Sequence, residues 1–140
     1  MKKEDFRYEF PEKYLKEVYV FENDDYLLTI SEDIYDDETI KYANNVCEKY
    51  TNSKNDILNH MLESGLREAY QSFNYTDEFI KENIGKPQIQ ISMKKTDANP
   101  NWKFDYFGTL VFLEHKLDEH IIDIEFTDEL KLKDHISMNG

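Results

Sequence analysis

The sequence predicts an α+β fold: two or three central helices packed on a mainly antiparallel sheet made of an N-terminal hairpin and three or four C-terminal strands. Three observations predict it. β-branched and aromatic runs near the start are split by a polar turn. Apolar residues in the middle recur at helical spacing. The last third alternates with period two. Helices segregated from strands in this way define the α+β class.

The elements follow in order. Residues 16–21 (Lys-Glu-Val-Tyr-Val-Phe) and 26–30 (Tyr-Leu-Leu-Thr-Ile) flank the polar Glu22-Asn23-Asp24-Asp25 and form the hairpin. After Asp36-Asp37, residues Ile40, Ala43, Val46, Cys47 and Tyr50 lie on one face of a helix whose acidic start suits the positive end of its dipole. A second helix begins near Ser53, with Asp56 in a capping-box position, and carries the stripe Leu58, Leu62, Leu66, Ala69 and Phe73. Gly65 interrupts that stripe and is expected to mark a close helix crossing. A third, short helix starts at Thr76 and ends before Gly85 and Pro87.

Beyond it, Ile89, Ile91 and Met93 alternate with polar residues. Trp102, Phe104, Tyr106, Leu110 and Phe112 share one parity, and Phe107, Val111 and Leu113 the other, which predicts a strand covered on both faces. Ile122, Ile124 and Phe126 point inward from a strand over 120–127. The turn 116–119 closes a hairpin before it, and a last short strand holds Ile136.

A chain of 140 residues fits one domain, 1–140, which buries enough surface to need neither disulfide nor metal. The lone Cys47, on the apolar stripe of the first helix, reads as a small core residue. A single thiol suits a reducing compartment, and no stretch approaches the roughly 18 apolar residues of a membrane span, so a cytoplasmic location is expected. The net charge of −13 disfavours nucleic acid and anionic membranes, whose binding draws on Lys and Arg, and favours a basic protein partner or plain solubility.

Catalytic patterns are sparse. There is no Gly-x-Ser-x-Gly elbow and no phosphate-binding glycine loop, so neither a catalytic set nor a cofactor is assigned. His115 and His120 flank the 116–119 turn, where a four-residue hairpin would make them cross-strand neighbours beside Asp118. Two imidazoles and a carboxylate suit a transition metal, although such a pair is also an ordinary polar rim. Asp123 and Glu125 share a strand parity and face away from the core.

The acid is not evenly spread. Eight acids fall between Glu22 and Glu38 and six between Asp118 and Glu129, with no Lys or Arg in either run, so these two runs carry essentially the whole net charge. Candidate partner-binding residues are therefore Asp24, Asp25, Asp36, Asp37, Asp118, Glu119, Asp123 and Glu125. If the fold brings the runs together they make one acidic surface; if not, the charge serves solubility.

Gly85-Lys86-Pro87-Gln88-Ile89, then Asp118-Glu119-His120-Ile121-Ile122-Asp123-Ile124-Glu125-Phe126, resembles a family of small acidic bacterial proteins of uncharacterised function, some of them like immunity proteins. The resemblance spans roughly residues 30–140. It carries over no catalytic residues; the acid excess on an aromatic-rich fold is what points to a non-enzymatic interaction domain that binds a basic protein. A metal- or small-molecule-binding protein centred on the 115–120 hairpin and a homo-oligomeric subunit are the alternatives.

Overall fold

The computed structural model describes residues 1–9 and 16–140. These residues form an eight-stranded, mostly antiparallel sheet with helices on one face, so the α+β class holds. The strands are β1 (Arg7–Glu9), β2 (Val18–Glu22), β3 (Leu27–Ser31), β4 (Gln88–Lys94), β5 (Tyr106–Phe112), β6 (Ile121–Thr127), β7 (Lys131–Leu132) and β8 (Ser137–Asn139). Their spatial order is their chain order from β1 to β7, and β8 pairs with β6.

The expected hairpin is β2–β3, with Val20 opposite Thr29 and Phe21 opposite Leu28. One join is parallel, β3 to β4, with Leu28 beside Ile89 and Ile30 beside Ile91. A parallel join needs a long crossover, and the helices between β3 and β4 supply it. They are α1 (Asp37–Asn52), α2 (Lys54–Met61), α3 (Arg67–Ala69) and α4 (Asp77–Asn83).

Helix α1 starts where the side chain of Asp36 accepts a hydrogen bond from the Thr39 N–H at 2.7 Å, satisfying one of the orphan donors of the first turn. Lys94, at the end of β4, ion-pairs with Asp36 at 3.0 Å and with Glu38 at 3.5 Å, fixing the helix start to the sheet. Ile40, Ala43, Val46, Cys47 and Tyr50 are buried, as the spacing predicts. They pack on Leu28, Ile30, Ile89, Ile91, Leu110, Ile122, Ile124 and Phe126 of the sheet. Burial pushes the Cys47 thiol up to about 12, so it is a core side chain with no thiolate to offer.

The second helix departs from expectation. Ser53 makes no side-chain cap, and α2 ends in a π-turn over Leu62–Leu66 that leads into α3. Gly65 is the reason, with φ at +117°, where an L side chain is strained. It does not mark a helix crossing. The 133–136 segment docks there: Ile136 N–H donates to Ser64 C=O at 3.0 Å, and Ile136 lies 3.4 Å from where a Gly65 Cβ would stand. Gly65→Ala is expected to cost about 1–3 kcal/mol from backbone strain. Urea unfolding checks this, and an unchanged midpoint would contradict it.

The C-terminal strands also need corrections. Trp102 and Phe104 precede β5 rather than belonging to it, and Ile136 precedes β8. Among the described residues, helices cover strand β5 on one face only. Tyr106, Leu110 and Phe112 face the core, whereas Phe107 and Val111 look out on the opposite, open face of the sheet. Gly108 interrupts the core side because the Phe126 ring lies over it.

Candidate functional site

Strands β3 and β4 begin at the same end of the sheet, where β5 ends and β6 begins, because Leu27 pairs with Gln88, Gln88 with Val111, and Phe112 with Ile122. The β2–β3 turn, the Gly85–Pro87 corner and the 113–120 loop therefore meet at this end. Asn23 builds the turn: its side-chain oxygen accepts from the N–H groups of Asp25 at 2.9 Å and Tyr26 at 3.0 Å. Lys86 reaches across to Glu22 at 2.8 Å and to the Asn23 carbonyl at 3.0 Å. Gly85, with φ at +74°, turns the chain so closely that its Cβ would lie 3.4 Å from the Glu114 carbonyl oxygen. Glu22, Lys86 and Glu114 line one small depression, which sets the start of the first acidic run beside the loop that leads into the second.

The 113–120 loop is locked by polar contacts. The Lys116 N–H donates to the Asn83 carbonyl at 2.9 Å. His115 is buried, and its Nδ1 accepts from the Leu117 N–H at 3.1 Å, so Nε2 carries the proton and donates to the His120 carbonyl. Asp118 accepts at Oδ1 from the Tyr70 hydroxyl at 2.8 Å and the His120 N–H at 2.9 Å, and its Oδ2 meets His120 Nδ1 at 2.9 Å. Burial alone would raise the Asp118 carboxyl, but the hydrogen bonds from His120 and Tyr70 outweigh it and hold the group below the usual carboxylate range. Burial, then Asp118, push the Tyr70 hydroxyl up, so it stays a donor.

These contacts correct the hairpin geometry read from the sequence. Strands β5 and β6 are joined through residues 113–120, not through a four-residue turn, and His115 and His120 are not cross-strand neighbours. Both ring nitrogens of His115 are taken by the backbone, which leaves it no lone pair for a metal. Among the described residues no group of three or more His, Cys, Asp or Glu is placed to hold one.

The partner candidates divide into three places. Asp24, Asp25, Asp118 and Glu119 lie at the end just described. Asp36 and Asp37 lie at the opposite end, at the start of α1. Asp123 and Glu125 lie on the open face of β6. They therefore do not make one continuous surface, and several are engaged within the fold. Asp25 pairs with Lys54 at 3.1 Å, Asp36 with Lys94, and Glu125 with Lys133 at 3.3 Å. The carboxylates of Asp24, Asp37 and Glu119 are exposed and make no hydrogen bond or ion pair with the described residues.

Comparison with protein-family models, curated proteins and solved structures found no match. The chemistry of this end of the molecule therefore rests on its own geometry.

Asp123 carries a stability cost. Burial, then repulsion from Glu125, raise its carboxyl, and a hydrogen bond from Asn139 at 3.2 Å offsets this only in part. Above the carboxylate range the ionised form weakens the fold, and the cost disappears as the pH falls through the raised value and the group takes up a proton. Asp123→Asn is expected to melt at a higher temperature than the parent at pH 7, with the gap closing near pH 3. A variant melting lower at pH 7 would contradict this.

Some functional candidates were not evident in the sequence. Phe73 and Phe79 are exposed at 47% and 39% and cluster with Tyr75, at ring distances of 5.3 and 4.4 Å. The Tyr75 hydroxyl donates to the Leu117 carbonyl at 3.4 Å, which ties this aromatic corner to the acidic loop. Phe73 continues the apolar spacing of the preceding helix and so reads as core, but that helix has already ended at Ala69, and Phe73 lies in a 3₁₀ turn, Gln71–Phe73, closed by a left-handed Asn74. The offset parity of Leu113 was the available signal for the open face.

Proposed function

We propose that the protein is a non-enzymatic interaction domain that binds a basic protein partner at the end of the sheet where both of its acidic runs begin. The convergence of Glu22, Asp24, Glu114 and Glu119 on one end of the sheet, with Glu22 paired to Lys86, carries this reading. Seventeen bases against thirty acids give the whole chain a field that draws cations, and the convergence gives that field a place to act. The aromatic corner at Phe73 and Phe79 adds rigid apolar area of the kind that anchors interfaces and takes cations over its rings. The resemblance to small acidic proteins, some of them like immunity proteins, fits a role in which the domain covers a cationic partner.

The buried, backbone-bound His115 and the inert Cys47 offer no nucleophile or metal ligand, which turns the reading away from the 115–120 loop as a metal site. A cytoplasmic setting suits the free thiol and is part of the proposal. No helix among the described residues is long and apolar enough to cross a membrane.

A peptide of ten lysines, titrated into isotopically labelled protein at low salt, tests the site. Amide shifts are expected at 22–27, 85–87 and 113–119, weakening as salt is raised. Shifts confined to 32–38 and 128–129, at the other end of the sheet, would overturn the assignment.

A further inference from the structure

The open face of the sheet adjoins the acidic end, sharing Gln88, Leu113 and Glu114 with it. Among the described residues no helix packs on this face, and it holds a concavity of about 750 Å³. Val18, Val111, Leu113 and Ile121 give it apolar walls, Gln88 and Gln90 a polar floor, and Lys16 lines the end away from Leu113. Leu113 and Ile121 are exposed at 43% and 39%, large apolar side chains at neighbouring strand ends. The next open-face positions along β6 after Ile121 are Asp123 and Glu125, each step about 6.7 Å on. The face thus presents an apolar position followed by two carboxylates at strand spacing.

We infer that this concavity takes the apolar side chain of an extended segment of the basic partner, against Leu113 and Ile121, and that the segment continues along β6 beyond the rim with cationic side chains at alternate positions over Asp123 and Glu125. The inference rests on the proposed function and names the partner's local chemistry. Charge complementarity selects the occupant: a segment with Lys or Arg every second residue matches the two carboxylates, whereas a second copy of this acidic chain would set carboxylates against carboxylates. The ion pair of Glu125 with Lys133 is half-exposed on both sides, so a partner cation can replace it at little cost. The unfavourable charge held at Asp123 fits a position kept for binding.

The test uses three capped peptides and the full chain: Leu-Thr-Lys-Thr-Lys, Ser-Thr-Lys-Thr-Lys and Leu-Thr-Glu-Thr-Glu. Amide shifts locate binding, and light scattering reports self-association. The leucine–lysine peptide is expected to shift Thr29, Gln90, Val111, Ile121 and Asp123. It should bind at least tenfold more tightly than the serine peptide, and the glutamate peptide should not bind. Leu113→Ser, at an exposed position that leaves the core intact, should abolish the leucine preference.

Equal binding of both lysine peptides, confined to 22–27 and 113–119, would overturn the concavity while leaving the acidic end as the partner site. Failure of both lysine peptides to bind at low salt would overturn both. Self-association that maps to the open face would replace the partner segment with a second copy.

Discussion

Gly108→Ala is expected to remove about 3 kcal/mol or more of stability, at the upper end of what overpacking costs. A Cβ at Gly108 would stand 2.3 Å from the Gln90 carbonyl oxygen and 2.4 Å from Phe126 Cζ. The first neighbour is backbone within the β4–β5 ladder and cannot rotate away. The second is a fully buried ring at the pairing position opposite Gly108. An aromatic laid over a strand glycine covers backbone that no side chain of its own protects, so this pair is one packing unit in the middle of the sheet. Urea unfolding of Gly108→Ala should show a large fall in midpoint, and Gly108→Ala with Phe126→Leu should recover part of it. Thr109→Ala, on the open side of the same strand, should cost less than about 1 kcal/mol as an ordinary surface change. A Gly108→Ala protein as stable as the parent would mean that Phe126 does not lie where the packing places it.

Asp118→Ala should cost about 2–3 kcal/mol at neutral pH, the range for removing a charged acceptor from partly buried donors. It leaves the buried Tyr70 hydroxyl and the His120 N–H without their acceptor. The pH dependence gives the prediction a second readout. The folded Asp118 carboxyl lies below its unfolded value of about 3.9. Its contribution is therefore fully present above that value and is lost as the pH falls through the lower folded one. Asp36 and Asp77 are held down as well, Asp36 by hydrogen bonds from Thr39 and Lys94 against its burial, Asp77 chiefly by Arg67. The parent protein should thus lose stability steeply on acidification, and Asp118→Ala should show a shallower loss over the same range. A parallel pair of stability curves between pH 2 and 5 would contradict the role given to Asp118.

What the sequence made legible was local. The hairpin was readable because Glu22-Asn23-Asp24-Asp25 separates two β-branched runs. Helix α1 was readable because Ile40, Ala43, Val46, Cys47 and Tyr50 keep helical spacing and Asp36 caps them. Strand β6 showed itself through Ile122, Ile124 and Phe126. The illegible parts depend on contacts far apart in the chain. The parallel pairing of β3 with β4 joins residues some sixty positions apart and leaves no periodic trace. The π-turn at Gly65 exists to receive Ile136, so a glycine in a helical stripe reads as a crossing until its distant partner is known. The 113–120 loop reads as a tight turn because Lys116-Leu117-Asp118-Glu119 is charged and separates two apolar runs, whereas His115 is buried and closes a longer loop from within.

The candidate site follows the same division. The two acidic runs were plain in the sequence, and their separate membership in the β2–β3 turn and the β5–β6 connection could be read from it. Their beginning at the same end of the sheet follows only from the strand order. The same order separates Asp36 and Asp37 from that end, so the eight acids singled out by composition are not one surface.

The central claim is that charge acts by position at one end of the sheet. Two triple variants with the same change in net charge test it most directly: Asp24→Asn, Glu114→Gln and Glu119→Gln at the proposed end, and Asp33→Asn, Asp105→Asn and Glu129→Gln at the other. All six side chains are exposed. Titration calorimetry with the ten-lysine peptide at low salt should show the first variant at least tenfold weaker than the parent and the second within about twofold, since each tenfold step is about 1.4 kcal/mol spread over three lost contacts. Equal weakening of the two variants would contradict the account and leave the acid as a diffuse charge that serves solubility.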